Sequence, residues 1–426
     1  MKRYAECKDS GIAWIGEIPV NWEIKKLKYY TTVNDEVLSE KTPGEYEFRY
    51  IDIGSVTLEN GIEQYQEILF ENAPSRARRI VRKGDVIVST VRTYLRAVAA
   101  INDDQDVVVS TGFAVIRPQK VEPRFLAYSL VNHYFVESVS SQSTGISYPA
   151  INTSVMMSIK NILPPLDIQK QISDYLDRRI GAVAALISQK KSLIEHLYEL
   201  RTSTISEIVI AGLNSNASLK DTGIKWLGQI PAHWRVVPAK ALFAQSKETR
   251  HETDIQLTAS QKYGIISQED YMERQSYKIV LADKGLENWK HVEPNDFIIS
   301  LRSFQGGLEI SYIPGCITWH YIVLKPKAGV DPEYFKWLFK SPRYIQALQR
   351  TANFIRDGQD LRFSNFVQVP LPLIPMDEQK EIAEYLNKET ARIDSIIADI
   401  TEQIEKLKEY RQSVISEVVT GKVAVE

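Results

Sequence analysis

The chain has 426 residues, more than one hydrophobic core usually supports, so at least two domains are expected. Its 44% hydrophobic and 25% charged content is ordinary for a globular protein, and no apolar run approaches the ~18 residues of a membrane span. The net charge of -2 exerts no global pull on a polyanion, so any nucleic acid must be met by local basic surface. Cys7 and Cys316 are far apart and lack metal-ligand spacing, which reads as two packed thiols in a reducing cytoplasm; the N-terminal residues 1–6 are not a signal peptide.

In chain order, a leading segment (9–22) precedes four strand-like runs at 48–53, 85–91, 107–116 and 155–162, rich in branched residues and bounded by Gly or Pro. Between the last two runs, a helix is expected from Pro123 through Phe125, Leu126, Leu130 and Phe135. From Asp167 to about Val209 there is no proline, and Val183, Ile187, Ile194, Leu197 and Ile208 mark the apolar seam of a coiled coil, interrupted by Lys190 and Arg201. A second body follows, with strands at 296–301 and 318–324 and a helix announced by Asp331 and Pro332. A second long helix from Asp377 to about Val419 carries Ile393, Ile397, Ile400, Ile404, Leu407, Val414 and Val418. At 1.5 Å per residue, each ~40-residue helix is a rod of roughly 60 Å.

The chain is written twice. Asp9-Ser-Gly-Ile-Ala-Trp-Ile-Gly-Glu-Ile-Pro-Val-Asn-Trp22 returns as Asp221-Thr-Gly-Ile-Lys-Trp-Leu-Gly-Gln-Ile-Pro-Ala-His-Trp234, and Pro165-Leu-Asp-Ile-Gln-Lys-Gln-Ile172 returns as Pro375-Met-Asp-Glu-Gln-Lys-Glu-Ile382. Arg201-Thr-Ser-Thr-Ile-Ser-Glu207 likewise matches Arg411-Gln-Ser-Val-Ile-Ser-Glu417. Two near-equal units tend to pair about a pseudo-two-fold axis. Neither rod is stable with an apolar edge exposed, so each is expected to pack antiparallel against its copy, placing the two β-rich bodies at opposite ends. The expected fold is α+β, divided into a first body with its leading segment (1–163), a first spacer helix (164–213), a second body with its leading segment (214–373) and a second spacer helix with tail (374–426). Residues 1–214, carrying one body and one rod, are expected to pair with a second copy of themselves.

Catalytic constellations are missing. Six scattered histidines form no metal-binding motif, no glycine-rich phosphate loop opens a helix, and no nucleophile elbow is present. Leu163-Pro-Pro-Leu166 lacks the polar residue of an amino-methyltransferase motif. The pattern suits a recogniser rather than a catalyst, with no cofactor and no metal in this chain.

Contact candidates follow from residue type and position. The strand at 85–91 empties into Arg92-Thr93-Tyr94-Leu-Arg96, and the strand at 296–301 empties into Arg302-Ser303-Phe-Gln305. Arginine pairs bidentately with guanine and glutamine with adenine, so such loops suit base reading, although an arginine after a strand often only solvates a turn. Gly145, Ser147 and Tyr148, and Arg356, Gln359 and Arg362, lie in loops ahead of the long helices, where a plain hairpin turn is the other reading. Arg76, Arg78 and Arg79 begin a basic run suited to phosphate, or simply to a solvated face.

The doubled leading segments, the two Pro-x-Asp-x-Gln-Lys-x-Ile motifs and the terminal Tyr410-Arg-Gln-Ser-Val-Ile-Ser-Glu-Val-Val-Thr-Gly421-Lys resemble the type I restriction–modification specificity subunit over the whole chain. The resemblance implies two target recognition domains, each reading half of a bipartite DNA site, and two repeated helices whose length fixes the unread spacer. It also implies partners: double-stranded DNA, two methyltransferase (modification) subunits and two restriction subunits. S-adenosylmethionine, ATP and Mg then belong to the partner subunits, which methylate adenine and cleave DNA in the cytoplasm. Two other classes stay open on the residues alone, a protein-interaction scaffold without DNA binding and a free-standing DNA-modifying enzyme.

Overall fold

The computed structural model describes residues 3–12, 15–103, 106–275, 282, 285–300, 303–351 and 361–425. The chain forms two compact units, one of Met1–Lys191 with Thr401–Glu426 and one of Ser192–Ile400. Each unit therefore holds part of both long helices.

In the first unit, one antiparallel sheet runs in the order Val98–Ala100, Val86–Ser89, Phe113–Pro118, Thr31–Val33. The central strand is covered on both faces, which is why it reads as a continuous apolar run rather than an alternating one. Val86 and Val88 pack with the helices Pro123–Val131 and His133–Ser141 through Phe125, Leu126, Leu130 and Phe135. Ile87, on the opposite face, packs with Ile51, Val107 and Val109 of a second sheet. That sheet runs Gln66–Leu69, Glu47–Ile51, Val107–Ser110, Ala77–Ile80, and its pairing of Glu47–Ile51 with Val107–Ser110 is parallel.

The second unit repeats the plan. Its first sheet runs Glu309–Ile310, Phe297–Ile299, Ile322–Pro326, Phe243–Gln245, again antiparallel throughout. In place of the second sheet stand two ladders, Gly264–Ser267 with Leu257–Ser260 and Gly315–Ile317 with Lys290–Val292. A parallel bridge, Gln256 to Cys316, joins them where the first unit has its parallel pair.

Several expected elements are shorter or of another kind. The run 107–116 is two strands in different sheets, turned at Thr111-Gly112, where an added Cβ on Gly112 would lie 2.7 Å from Ile53 Cδ1. The helix from Pro123 breaks at Asn132, whose side chain accepts from Tyr134 N at 3.2 Å and caps a new helix. The run 155–162 begins as the helical turn Thr153–Met156, capped by Asn152, and is a strand only over Lys160–Leu163. Short apolar runs do not separate buried helix from strand, and here a local cap decides. In the second unit, the 318–324 run contributes only its last residues to the strand Ile322–Pro326.

The long helices span Leu166–Ala211 and Met376–Val419, 46 and 44 residues. Their starts explain the repeated Pro-x-Asp-x-Gln motif. The buried Gln169 side chain donates to Pro164 O at 2.8 Å and accepts from Glu122 N at 2.8 Å; Gln379 does the same with Ile374 O and Asp331 N, both at 2.8 Å. One amide thus ties each helix start to the cap of a helix in its own body.

Within the first unit, Arg179 Nε donates to Tyr410 Oη at 3.2 Å and Lys190 Nζ to Gln403 Oε1 at 2.6 Å. Rising numbers on one helix meet falling numbers on the other, so the segments are antiparallel. In the second unit, Arg201 faces Asp394 at 3.1 Å while Ile205 and Val209 share a core with Ile382 and Leu386, again antiparallel. The cations that interrupt the seam therefore have partners: Gln403 for Lys190, Asp394 and the Trp337 ring for Arg201, and the Glu59 carbonyl for Arg411. Among the described residues, no helix is long and apolar enough to cross a membrane.

Candidate nucleic-acid interface

The strand Val86–Ser89 delivers its loop in a fixed shape. Thr90 N donates to Gly112 O at 2.8 Å, and Ile151 N donates to Thr90 O at 2.9 Å. A bridge from Val91 to Ala150 then holds the loop beside the segment 143–150. Arg92 and Arg96 flank the single turn Thr93–Leu95, both left-handed, at φ 51° and 52°. Non-glycine residues seldom adopt that conformation, and such strain gathers at functional turns.

Two loops proposed separately from the sequence thus become one surface. Thr93 Oγ1 donates to Ser143 Oγ at 2.8 Å, and Ser143 Oγ donates to Val139 O at 2.8 Å. Thr144 and Ala150 exchange two backbone hydrogen bonds of 2.9 Å, closing a tight hairpin whose turn begins at Gly145 with φ 111°. The Arg92 guanidinium lies 5.2 Å from the centre of the Tyr148 ring. Arg92, Tyr94, Ser147 and Tyr148 are exposed, and the neighbouring Ile146 is fully so. Arg96 is exposed but paired with Glu137 at 2.5 Å. Thr93 is buried, so its hydroxyl joins the two loops rather than facing outward.

The basic run does not present one face. Arg76 is exposed, whereas Arg78 and Arg79 are half-buried and lie on a strand, where successive side chains point to opposite faces. Arg78 stacks over Phe70 at 5.0 Å and donates to Ala77 O at 2.9 Å.

In the second unit, Arg302, Arg356 and Gln359 lie outside the described residues. Ser303 is buried and its hydroxyl accepts from Ser300 N at 2.8 Å, shaping the turn. Gln305 is exposed on the short helix Ser303–Gly306. Arg362 is exposed, and its backbone N–H donates to Asn365 Oδ1 at 3.0 Å. Val86–Ile116 and Phe297–Leu324 are equivalent strand pairs, so the loops after Val86–Ser89 and Phe297–Ile299 leave their sheets at corresponding places.

Sequence reading missed a cleft of about 520 Å³ in the second unit, lined by Arg201, Gln261, Lys262, Gly306, Lys336 and Lys340. Lys336 is paired with Glu333 and Lys340 with Glu309, so charge there is largely balanced. These residues are scattered along the chain, and spacing alone carries no signal for them.

Comparison with known proteins agrees with this doubled plan. The profile described as "Type I restriction modification DNA specificity domain" matches residues 19–196 and again 231–406. The putative type I restriction enzyme MjaX specificity subunit of Methanocaldococcus jannaschii is 23% identical, across 97% of this chain and 96% of its own length. The EcoKI specificity subunit of Escherichia coli is 19% identical, across 96% and 91%. Among solved structures, a chain from a study of type I R-M complex assembly and conformational transition matches with a TM-score of 0.72 at 21% identity, covering 95% of this chain and 99% of that one. The HsdS subunit from Thermoanaerobacter tengcongensis matches with a TM-score of 0.52 at 21% identity, covering 95% and 98%. With its two matched segments filling most of both units, the chain belongs to the type I restriction–modification DNA specificity family.

Proposed function

We propose that this chain is the non-catalytic DNA-reading subunit of a type I restriction–modification complex. Each unit reads one half of a bipartite duplex site, and the unread spacer scales with the length of the two long helices. Two modification subunits supply adenine methylation with S-adenosylmethionine, and two restriction subunits supply cleavage with ATP and Mg, all in the cytoplasm.

The observation that carries this reading is the joining of loops 92–96 and 143–148 into one outward surface of arginine, tyrosine and serine. Arg92 is suited to a bidentate contact with guanine, and Tyr148 holds its guanidinium in orientation. Tyr94 and Ser147 supply further polar contacts, and Arg76 faces phosphate. In the second unit the same work falls to Arg302, Gln305, Arg356, Gln359 and Arg362.

Mapping methylated adenines in cells carrying this chain and its partners tests the proposal. Wild type gives a split motif, and Arg92→Ala relaxes one half-site alone, at a cost of about 1–3 kcal/mol. Equal change in both half-sites would contradict the assignment of Arg92. A second expected result concerns residues 1–214 alone. The first core includes Val414, Ile415, Val418 and Val419, which that fragment lacks, while Ile205 and Val209 occupy the matching repeat positions. Sedimentation should therefore show a dimer in which each copy supplies the missing helix; a folded monomer at all concentrations would refute it.

A further inference from the structure

The two units carry the same charged cluster in the same place, but they neutralise it differently. Hydrogen bonding sets the equivalence: Ile80 N donates to Glu36 O at 3.2 Å, and His291 N donates to Glu248 O at 3.1 Å. Asp85 accepts from Arg82 N at 2.8 Å, and Asp296 accepts from Glu293 N at 2.9 Å. The strand pairs place Arg117 opposite Lys325 in this comparison. Glu36, Arg82, Asp85 and Arg117 of the first unit thus correspond to Glu248, Glu293, Asp296 and Lys325 of the second.

In the first unit, two guanidinium groups close the cluster. Arg82 Nε meets Glu36 at 2.8 Å, and Arg117 meets Asp85 at 2.8 Å and also bonds Glu36. In the second unit an acid, Glu293, stands where Arg82 would be, and Asp254 adds a further carboxylate. Lys325 lies 3.2 Å from Glu248 Oε2 and 3.8 Å from Asp296, while Asp254 and Glu293 bring two further carboxylates to His291. Two histidines fill the remaining space, their rings stacked with centroids 3.8 Å apart.

We propose that this cluster is a binding site for one divalent transition ion of the zinc type, held by Glu248, His251 and His291, with Glu293 beside His291. One donor atom from each of the first three residues lies within 4.8 Å of the others. Glu248 keeps Oε2 on Lys325 and turns Oε1 to His251 Nε2 at 3.2 Å. His291 is 97% buried by its 3% exposure, its Nδ1 faces Asp254 Oδ2 at 2.8 Å, and its Nε2 faces Glu293 Oε1 at 2.8 Å. A carboxylate behind Nδ1 orients an imidazole to bind metal through Nε2, as in many zinc sites. The mixed imidazole and carboxylate donors suit zinc better than calcium or magnesium. Cys316 is the cross-strand neighbour of His291, but its sulfur is not part of the cluster formed by the Glu248, His251 and His291 donor atoms. The ion takes the place of the Arg82 guanidinium of the first unit and pins residues 248–254 to the strand Lys290–Val292.

The test uses the tag-free full-length chain, stripped with chelator and titrated with zinc, with bound metal counted by elemental analysis and stability followed by thermal unfolding. The expected result is one zinc per chain and a raised melting temperature. Both effects should vanish in His251→Ala and Glu248→Gln, whose side chains are exposed and whose metal-free stability should match wild type. Glu293→Arg, which installs the residue of the first unit, should also abolish zinc uptake while folding without metal. Failure of wild type to take up zinc would overturn the proposal, as would full uptake by His251→Ala together with Glu248→Gln, or by Glu293→Arg.

Discussion

Replacing Asp85 with alanine is expected to lower the stability of the first unit by about 3–5 kcal/mol, because it strands a partly buried guanidinium. Asp85 is 1% exposed, and its two oxygens accept Arg117 Nε at 2.9 Å and Nη2 at 2.8 Å. The bond to Asp85 is the largest influence raising the Arg117 pKa well above its ordinary value, and Glu36, held low first by Arg117 and then by Arg82, completes the network. Asp85 also closes the turn into the central strand by accepting Arg82 N, so its loss costs shape as well as charge. Arg117→Met alone should be similarly harmful, since it leaves the Asp85 carboxylate unpaired. The double variant Asp85→Leu with Arg117→Met should recover most of the loss, because the one carboxylate left behind, Glu36, keeps Arg82 as its partner. Urea unfolding of the four proteins decides this; a double variant as weak as either single one would show that shape, not stranded charge, is the source of the damage.

Much of the fold was legible because its signals are long or repeated. Forty residues without proline, with apolar positions at alternating three- and four-residue steps, leave little but a coiled-coil helix, and the ends fell within about two residues of those observed. The repeated Pro-x-Asp-x-Gln motif lies at both helix starts, where its glutamine makes equivalent hydrogen bonds in the two units. Shorter elements were harder. In the run 107–116 all residues but Gly112 suit a strand, and the turn at that glycine, packed close to Ile53, divides the run between two sheets. Asn132 and Asn152 each redirect the chain through a side-chain cap, a tertiary choice that a single asparagine in a sequence does not announce.

The candidate site shows the same division. That a strand should end in Arg92-Thr93-Tyr94 was visible in the sequence, and so was a glycine turn at Gly145. Their meeting, through Thr93 with Ser143 and Val91 with Ala150, depends on pairings some 50 residues apart. Residue type also failed to separate roles within one loop. Thr93 and Tyr94 are adjacent, yet one is buried and joins two segments while the other is exposed. The charged cluster of the second unit was invisible for a related reason. Glu248 and His251 are close in sequence, but His291 joins them only because the strand Lys290–Val292 hydrogen-bonds back to residue 248.

The glycines that follow the two long helices should respond unequally to one added methyl group. Gly421 has φ 73° and Gly212 has φ 75°, so alanine carries the left-handed penalty of about 1–2 kcal/mol at both. The surroundings differ. A Cβ on Gly421 would lie 2.4 Å from Pro19 Cδ and 3.0 Å from Trp22 Cζ3, whereas one on Gly212 would meet Trp234 Cζ2 at 3.2 Å. Pro19 belongs to a hairpin strand, its ring cannot rotate away, and Trp22 is fully buried, so overpacking adds about 1–3 kcal/mol at Gly421. Gly421→Ala should therefore cost about 2–5 kcal/mol and Gly212→Ala about 1–2 kcal/mol. The loss at Gly421 falls where the last residues of the chain meet the first, since Lys422 Nζ donates to Glu17 O at 2.9 Å and Val418 and Val419 share a core with Ile18 and Trp22. Hydrogen exchange should accordingly rise through the first unit in Gly421→Ala while the strands of the second unit keep their protection. Equal exchange in both units would mean that this seat is not what holds the two ends of the chain in one core.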